Sequence, residues 1–124
     1  MLICFDLEFF EAGRILKQNG AEIIFVPTIG NYMLQSQILA KWNGVYVVVS
    51  GCDSPSPSRI IDPNGEIIAA ADGCEDSLAF CEIDLSEGYY KPGTGFWPAV
   101  SDAKNALDKK RRTDIYGEFV TCKK

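Results

Sequence analysis

Leu2-Ile3-Cys4-Phe5-Asp6-Leu7-Glu8 and Glu22-Ile23-Ile24-Phe25-Val26-Pro27-Thr28 bracket a segment of helical period, and their order decides the fold. Leu2-Ile3-Cys4-Phe5 reads as the end of a buried strand that begins almost at the first residue. Asp6 is placed to cap the helix after it, Glu8 and Glu11 fall in the first turns, and Gly20 is a natural stop. Phe9, Ala12, Gly13 and Leu16 share one helical face. Glu22 to Val26 is a run of strand length ended by Pro27-Thr28, of the kind found inside a parallel sheet covered on both faces. Strand, helix and strand in succession predict an α/β chain.

Outward from this unit the same rhythm continues and then changes. Met33 to Trp42 predicts a second helix stopped by Asn43-Gly44, and Val45-Tyr46-Val47-Val48-Val49 a second buried strand. Ser54-Pro55-Ser56-Pro57-Ser58 is loop. Arg59-Ile60-Ile61-Asp62 and Glu66-Ile67-Ile68-Ala69 flank Pro63-Asn64-Gly65, which predicts a β-hairpin. Leu78 to Leu85 alternates as a last strand would. From Tyr89 onward Pro, Gly and aromatic residues dominate, with at most a short helix around 101–112. The expected organisation is a single domain over 1–124, with 89–124 as an extended basic tail. A domain seldom begins inside a central strand, so the chain is expected to be a partial domain lacking the strands before Leu2.

Composition excludes several function classes. The 124 residues carry 47% apolar and 23% charged side chains, which is ordinary for one globular domain and too apolar for a disordered tail. No apolar run approaches the ~18 residues of a membrane span, and Asp6 and Glu8 interrupt the only apolar start a signal peptide would need. A cytoplasmic chain with no membrane partner is expected. With no histidine, Ser-His-Asp and Cys-His machinery is excluded within this chain, as are His-containing metal sites. The five cysteines never form Cys-x-x-Cys, so they read as reduced thiols, and neither a metal nor a cofactor is implied. The net charge of −5 hides a basic run, Lys109-Lys110-Arg111-Arg112, behind an acidic body. That body would repel a phosphate backbone, so no nucleic-acid partner is expected, and the run suits docking on an acidic surface. Gly93-Thr94-Gly95 lacks the third glycine and the strand–helix context of a dinucleotide loop, and Asp62-Pro63-Asn64-Gly65 is turn chemistry with too few ligands for calcium. Tyr89, Tyr90, Phe96 and Trp97 read as packing aromatics before pocket lining.

Cys4 is the one residue whose position suggests reactivity. A cysteine between a strand end and a helix start has backbone N–H groups and a helix dipole to favour its thiolate, and the next N–H is available to an oxyanion. The opposite reading is equally simple: buried strand cysteines are common and inert, and Asp6 and Glu8 would raise a thiol pKa.

Ile3-Cys4-Phe5-Asp6-Leu7-Glu8-Phe9-Phe10-Glu11, with Arg14 in the helix beyond, resembles the cysteine motif of the nitrilase, or carbon–nitrogen hydrolase, superfamily. Val26-Pro27-Thr28, Asn43-Gly44-Val45-Tyr46-Val47-Val48, Ser58 to Glu66, Glu82-Ile83-Asp84-Leu85 and Arg111 to Tyr116 continue the resemblance in order. Phe10 stands where the motif usually has Pro, and Gln37 to Asn43 lacks an arginine and a glutamate often found there. The resemblance implies part of an α-β-β-α sandwich, a mixed sheet with helices on one face. It implies hydrolysis of a small-molecule amide or nitrile, amidase before nitrilase, through an acyl-enzyme on Cys4, with the Phe5 N–H at the oxyanion. It also implies a Glu base, a Lys and a second Glu, all upstream of the cysteine; nothing here matches them, so the N-terminal half is expected to be absent and this C-terminal segment inactive alone. Lys17 lies too far along the first helix to substitute. A homo-oligomer or a complementing N-terminal half is the expected partner, and the rival reading is a non-catalytic remnant or oligomerisation module of the same fold.

Overall fold

The computed structural model describes residues 1–52, 57–71, 76–85 and 112–115. Four strands, β1 (Ile23–Thr28), β2 (Tyr46–Gly51), β3 (Arg59–Ile61) and β4 (Ile67–Ala70), form one sheet in the order β1-β2-β3-β4. The β1–β2 pair is parallel and the other two are antiparallel, giving the mixed sheet that the sequence implied. Helix α1 (Phe10–Gln18) packs on helix α2 (Met33–Asn43), and α2 lies on β2 and β3.

Both helices end where the sequence placed their stops. After Gln18 the N–H groups of Gly20 and Ala21 return to the carbonyls of Lys17 and Leu16, with Gly20 at φ +92°. At the end of α2, Gly44 takes the left-handed φ of 62° that a residue with a Cβ resists. Gly13, buried in α1, lets the two helices approach: Leu39 of α2 fills the space a side chain would need. The β3–β4 hairpin is held by Asp62, whose Oδ1 accepts from the N–H groups of Asn64 (2.8 Å) and Glu66 (2.9 Å).

The core lies between the sheet and the helices: Ile24, Val26, Val47, Val49 and Ile61 from the strands meet Leu39 and Ala40 of α2 and Leu2 and Leu7 from the start of the chain. Arg59 is buried with them at 1% exposure, and its three guanidinium nitrogens have no hydrogen-bond partner among the described residues. Burial pushes its pKa down.

Four expectations are corrected. The opening segment is not a strand running into a capped helix. Leu2 alone bonds to the sheet, through its N–H to the Phe25 carbonyl at 3.0 Å, and Cys4–Glu8 is a 3₁₀ turn. The positive φ of Cys4 (46°) turns the chain off the sheet before a second ladder bond forms. Asp6 therefore caps that turn, accepting from the Ile3 N–H at 2.8 Å, while α1 starts at Phe10 without a side-chain cap. Phe9 is not on the buried face of α1: it precedes the helix, 55% exposed, and meets Phe5 edge-on with ring centroids 5.8 Å apart. The sheet is not covered on both faces at β1, where Phe25 is 54% exposed between buried Ile24 and Val26. Leu78 to Leu85 is not a strand: it makes no ladder, and its alternation leaves Leu78 and Phe80 exposed. The expected helix at 101–112, the loop at 54–56, the Gly93-Thr94-Gly95 turn, the aromatics at 89–97 and the basic run up to Arg111 lie outside the described residues. Arg112 is described, exposed and paired with Asp114.

Candidate active site

Cys4 sits at the corner where the 3₁₀ turn meets the carboxyl end of β1, the end of a parallel pair at which α/β proteins carry their sites. A left-handed φ is uncommon outside glycine, and here bonds on either side hold it. Leu2 is tied to Phe25, and the turn is closed by Asp6 N–H to the Ile3 carbonyl at 3.0 Å. The effect is to present the sulfur to the loop Thr28 to Tyr32. The Phe5 N–H follows in the first turn, ahead of that first intra-turn bond.

Four donors from the loop gather on the sulfur. The Thr28 hydroxyl and the Ile29 N–H do most to hold the Cys4 pKa below that of an ordinary thiol; partial burial opposes them, and the Gly30 N–H and Tyr32 hydroxyl add to them. Tyr32 moves the other way. Its own burial, then the charge and hydrogen bond of Cys4, then the charge of Glu8 keep its phenol protonated beyond the usual range. Thr28 is buried, with its hydroxyl 3.1 Å from the Gly30 N–H and 3.2 Å from the Gly30 carbonyl. The Tyr32 carbonyl accepts from Ser36 N–H (2.9 Å) and Ser36 Oγ (2.7 Å), which fixes the loop to the first turn of α2.

The nearby charges have other tasks. Asp6 is engaged with Ile3, and Glu8 accepts from Gln35 Nε2 at 3.5 Å. Lys17 stands in the last turn of α1. Lys41 stands in the last turn of α2, with its Cβ beside Gly65 of the hairpin. Both are at the opposite end of the sheet from Cys4, and Lys91 lies outside the described residues. Among the described residues no group of three or more Cys, Asp or Glu is placed to hold a metal. Sequence reading singled out Cys4 and did not bring Thr28 or Tyr32 to its side. The available signal was Pro27-Thr28 itself, which ends a strand parallel to its neighbour and so belongs to the same end of the sheet.

Residues 1–89 match the model of the carbon-nitrogen hydrolase family, and the chain belongs to that family. It is 33% identical to a deaminated glutathione amidase of Synechocystis sp. over 66% of this chain and 35% of that protein. It is 26% identical to the omega-amidase NIT2 of Danio rerio over 92% of this chain and 43% of the relative. Among solved structures it resembles Saccharomyces cerevisiae Nit3, a member of branch 10 of the nitrilase superfamily, with a TM-score of 0.61 and 26% identity over 68% of this chain and 37% of that one. The chain thus spans about two-fifths of the length of the curated relatives it matches.

Proposed function

We propose that this chain carries the nucleophile of an amidase-type carbon–nitrogen hydrolase acting on a small, non-peptide amide or nitrile. The Cys4 thiolate attacks the carbonyl carbon, forming a C–S bond and an oxyanion that the Phe5 N–H helps to stabilise. For an amide, collapse breaks the C–N bond, the amine leaves with the proton that the family's general base took from the thiol, and water releases the acid from the thioester. The observation that carries this reading is the cysteine held at a positive φ against four hydrogen-bond donors that depress its pKa. The general base and lysine of the family have no match among these 124 residues, so the reading assigns them to polypeptide outside this sequence. Glu8 and Asp6 are not substitutes, because each is occupied as described.

The exposed apolar surface supports the same reading. Phe25 on the open sheet face and Phe5, Phe9, Phe10, Ile29 and Leu34 around the Cys4 corner are exposed apolar side chains, more than an isolated soluble surface usually gathers. A second copy or a complementing half is the proposed cover. The experiment is ammonia release from a panel of short aliphatic amides and dicarboxylic acid monoamides. The 124-residue chain alone is expected to give no turnover, because losing partners of a catalytic unit costs on the order of 10⁴–10⁶ in rate. A polypeptide bearing the upstream Glu and Lys is expected to restore it, and Cys4→Ala to remove it again. Turnover by the chain alone that survives Cys4→Ala refutes the assignment.

A further inference from the structure

The structure assigns a binding site for a small carboxylate to the Arg59 guanidinium and the open first turn of α2. The inference goes beyond the amidase reading and makes no use of Cys4. A buried cation is costly unless something neutralises it and takes its hydrogen bonds. Arg59 is 1% exposed, and its Nε, Nη1 and Nη2 have no hydrogen-bond partner among the described residues. Asp62, three residues on, is spent on the N–H groups of Asn64 and Glu66.

Register places the side chain. Arg59 pairs with Val49 and Val49 with Val26, one row across the sheet, and both valines belong to the core beneath the helices. Directly opposed residues share a face, so Arg59 lies on the helix side of β3, against which α2 packs. Gln37 Nε2 of α2 donates to the Gly65 carbonyl of the hairpin at 2.9 Å, which fixes the level of the helix on the sheet. From Gln37 the helix reaches Met33 in ~6 Å, and from Asp62 the strand reaches Arg59 in ~10 Å, both toward the carboxyl end of β2. The first turn of α2 and Arg59 are therefore within one helical turn of each other in level. In that turn Tyr32 gives no side-chain cap, no acidic residue is present, and the first bond runs from the Ser36 N–H to the Tyr32 carbonyl. The N–H groups of Met33, Leu34 and Gln35 are open among the described residues, the arrangement that favours an anion at a helix N-terminus.

Chemistry selects the ligand. The planar guanidinium matches a carboxylate through two parallel N–H···O bonds. One buried cation balances one negative charge, so a sulfate or phosphate dianion would leave charge uncompensated. Arg59 is the first residue of β3, so a ligand reaches it from the end of the sheet. It stands two strand spacings, ~10 Å, from β1, which separates this site from the Cys4 corner.

The test is a titration of the 124-residue chain with sodium acetate against sodium chloride, at matched ionic strength and neutral pH. The readouts are the Arg59 Nε–H resonance in heteronuclear NMR, identified by its absence from Arg59→Met, and the melting temperature. Acetate is expected to move the resonance saturably where chloride does not. It should also raise the melting temperature by several degrees in the parent and not in Arg59→Met, since a ligand bound only by the folded state stabilises it. Circular dichroism establishes that the variant is folded, and the resonance in the parent tests the site without it. An Arg59 resonance unmoved by acetate overturns the proposal, as does an equal acetate-dependent rise in folded Arg59→Met. Saturation by sulfate at a lower concentration than acetate overturns the assignment of a carboxylate.

Discussion

Replacing Gly13 by alanine sets two opposed effects of similar size against each other, and the structure decides the sign. In an exposed helix the change stabilises by about 0.8–1 kcal/mol, because alanine loses less backbone entropy. Gly13 is not exposed: a Cβ built there would stand well inside 3.0 Å of Leu39 Cδ1 and 3.5 Å from both Leu39 Cγ and Asn43 Nδ2. Leu39 is itself buried among β2 and β3 side chains, and Asn43 is held by its own Nδ2 bond to the Leu39 carbonyl at 2.9 Å. Neither gives way freely, and forcing a methyl into a packed interior costs about 1–3 kcal/mol. The net expectation is a destabilisation of about 1 kcal/mol. The assay is urea unfolding of four chains: parent, Gly13→Ala, Leu39→Val and the double variant. Leu39→Val deletes the clashing Cδ1 and by itself costs about 1 kcal/mol. In its background Gly13→Ala is expected to become neutral or stabilising, a sign reversal that only a direct contact produces. A Gly13→Ala chain more stable than the parent, or the same change in both backgrounds, refutes the helix contact on which the placement of α1 rests.

Arg59→Met is expected to leave the melting temperature unchanged or raise it, because a buried guanidinium that has no partner among the described residues is replaced by a side chain that needs none. A loss of more than about 2 kcal/mol in the same melt would mean that the cation is paired in solution. Asp62→Ala should destabilise by about 1–3 kcal/mol and Asp62→Asn by less, since the amide oxygen still accepts from the turn N–H groups; equal losses in urea titration would count against the hairpin bonds. The stability of the Cys4 corner should depend on pH with a definite sign. A thiol whose folded pKa is depressed stabilises the fold fully above the unfolded value and loses that contribution as pH falls through the folded one. The parent should therefore gain thermal stability over Cys4→Ala as pH rises toward the ordinary thiol value of about 8.5, and a gap that narrows as pH rises would contradict the depressed thiol pKa.

Much of the frame was legible because its signals are local. Asn43-Gly44 and Gly20 stop helices through backbone conformations that the chain dictates by itself, and Pro63-Asn64-Gly65 with Asp62 builds its own turn. Cys4 was singled out as the candidate nucleophile through resemblance, not through physics, since position alone favoured an inert buried cysteine. What was not legible depends on partners. Leu2-Ile3-Cys4-Phe5 has the composition of a strand, but Cys4 turns the chain away from its neighbour. Leu78 to Leu85 has the alternation of a strand and no ladder. Thr28 and Tyr32 come to the Cys4 corner only when the end of β1 and the 3₁₀ turn meet, a contact between segments that no periodicity connects.

The order of the sheet also has a kinetic meaning. Every strand pairs with its immediate predecessor, so each closure builds on an existing edge. The β3–β4 hairpin, with its turn held by Asp62, can close in roughly 1–10 μs, and β2 then has an edge to join. The β1–β2 pair waits for the α2 crossover, and the Leu2 bond to Phe25 waits for β1. The corner that carries Cys4 thus assembles late, because it needs the edge of β1 to be in place. In native-state hydrogen exchange its amides should open without the sheet, making the reactive end of the molecule the part that breathes on its own.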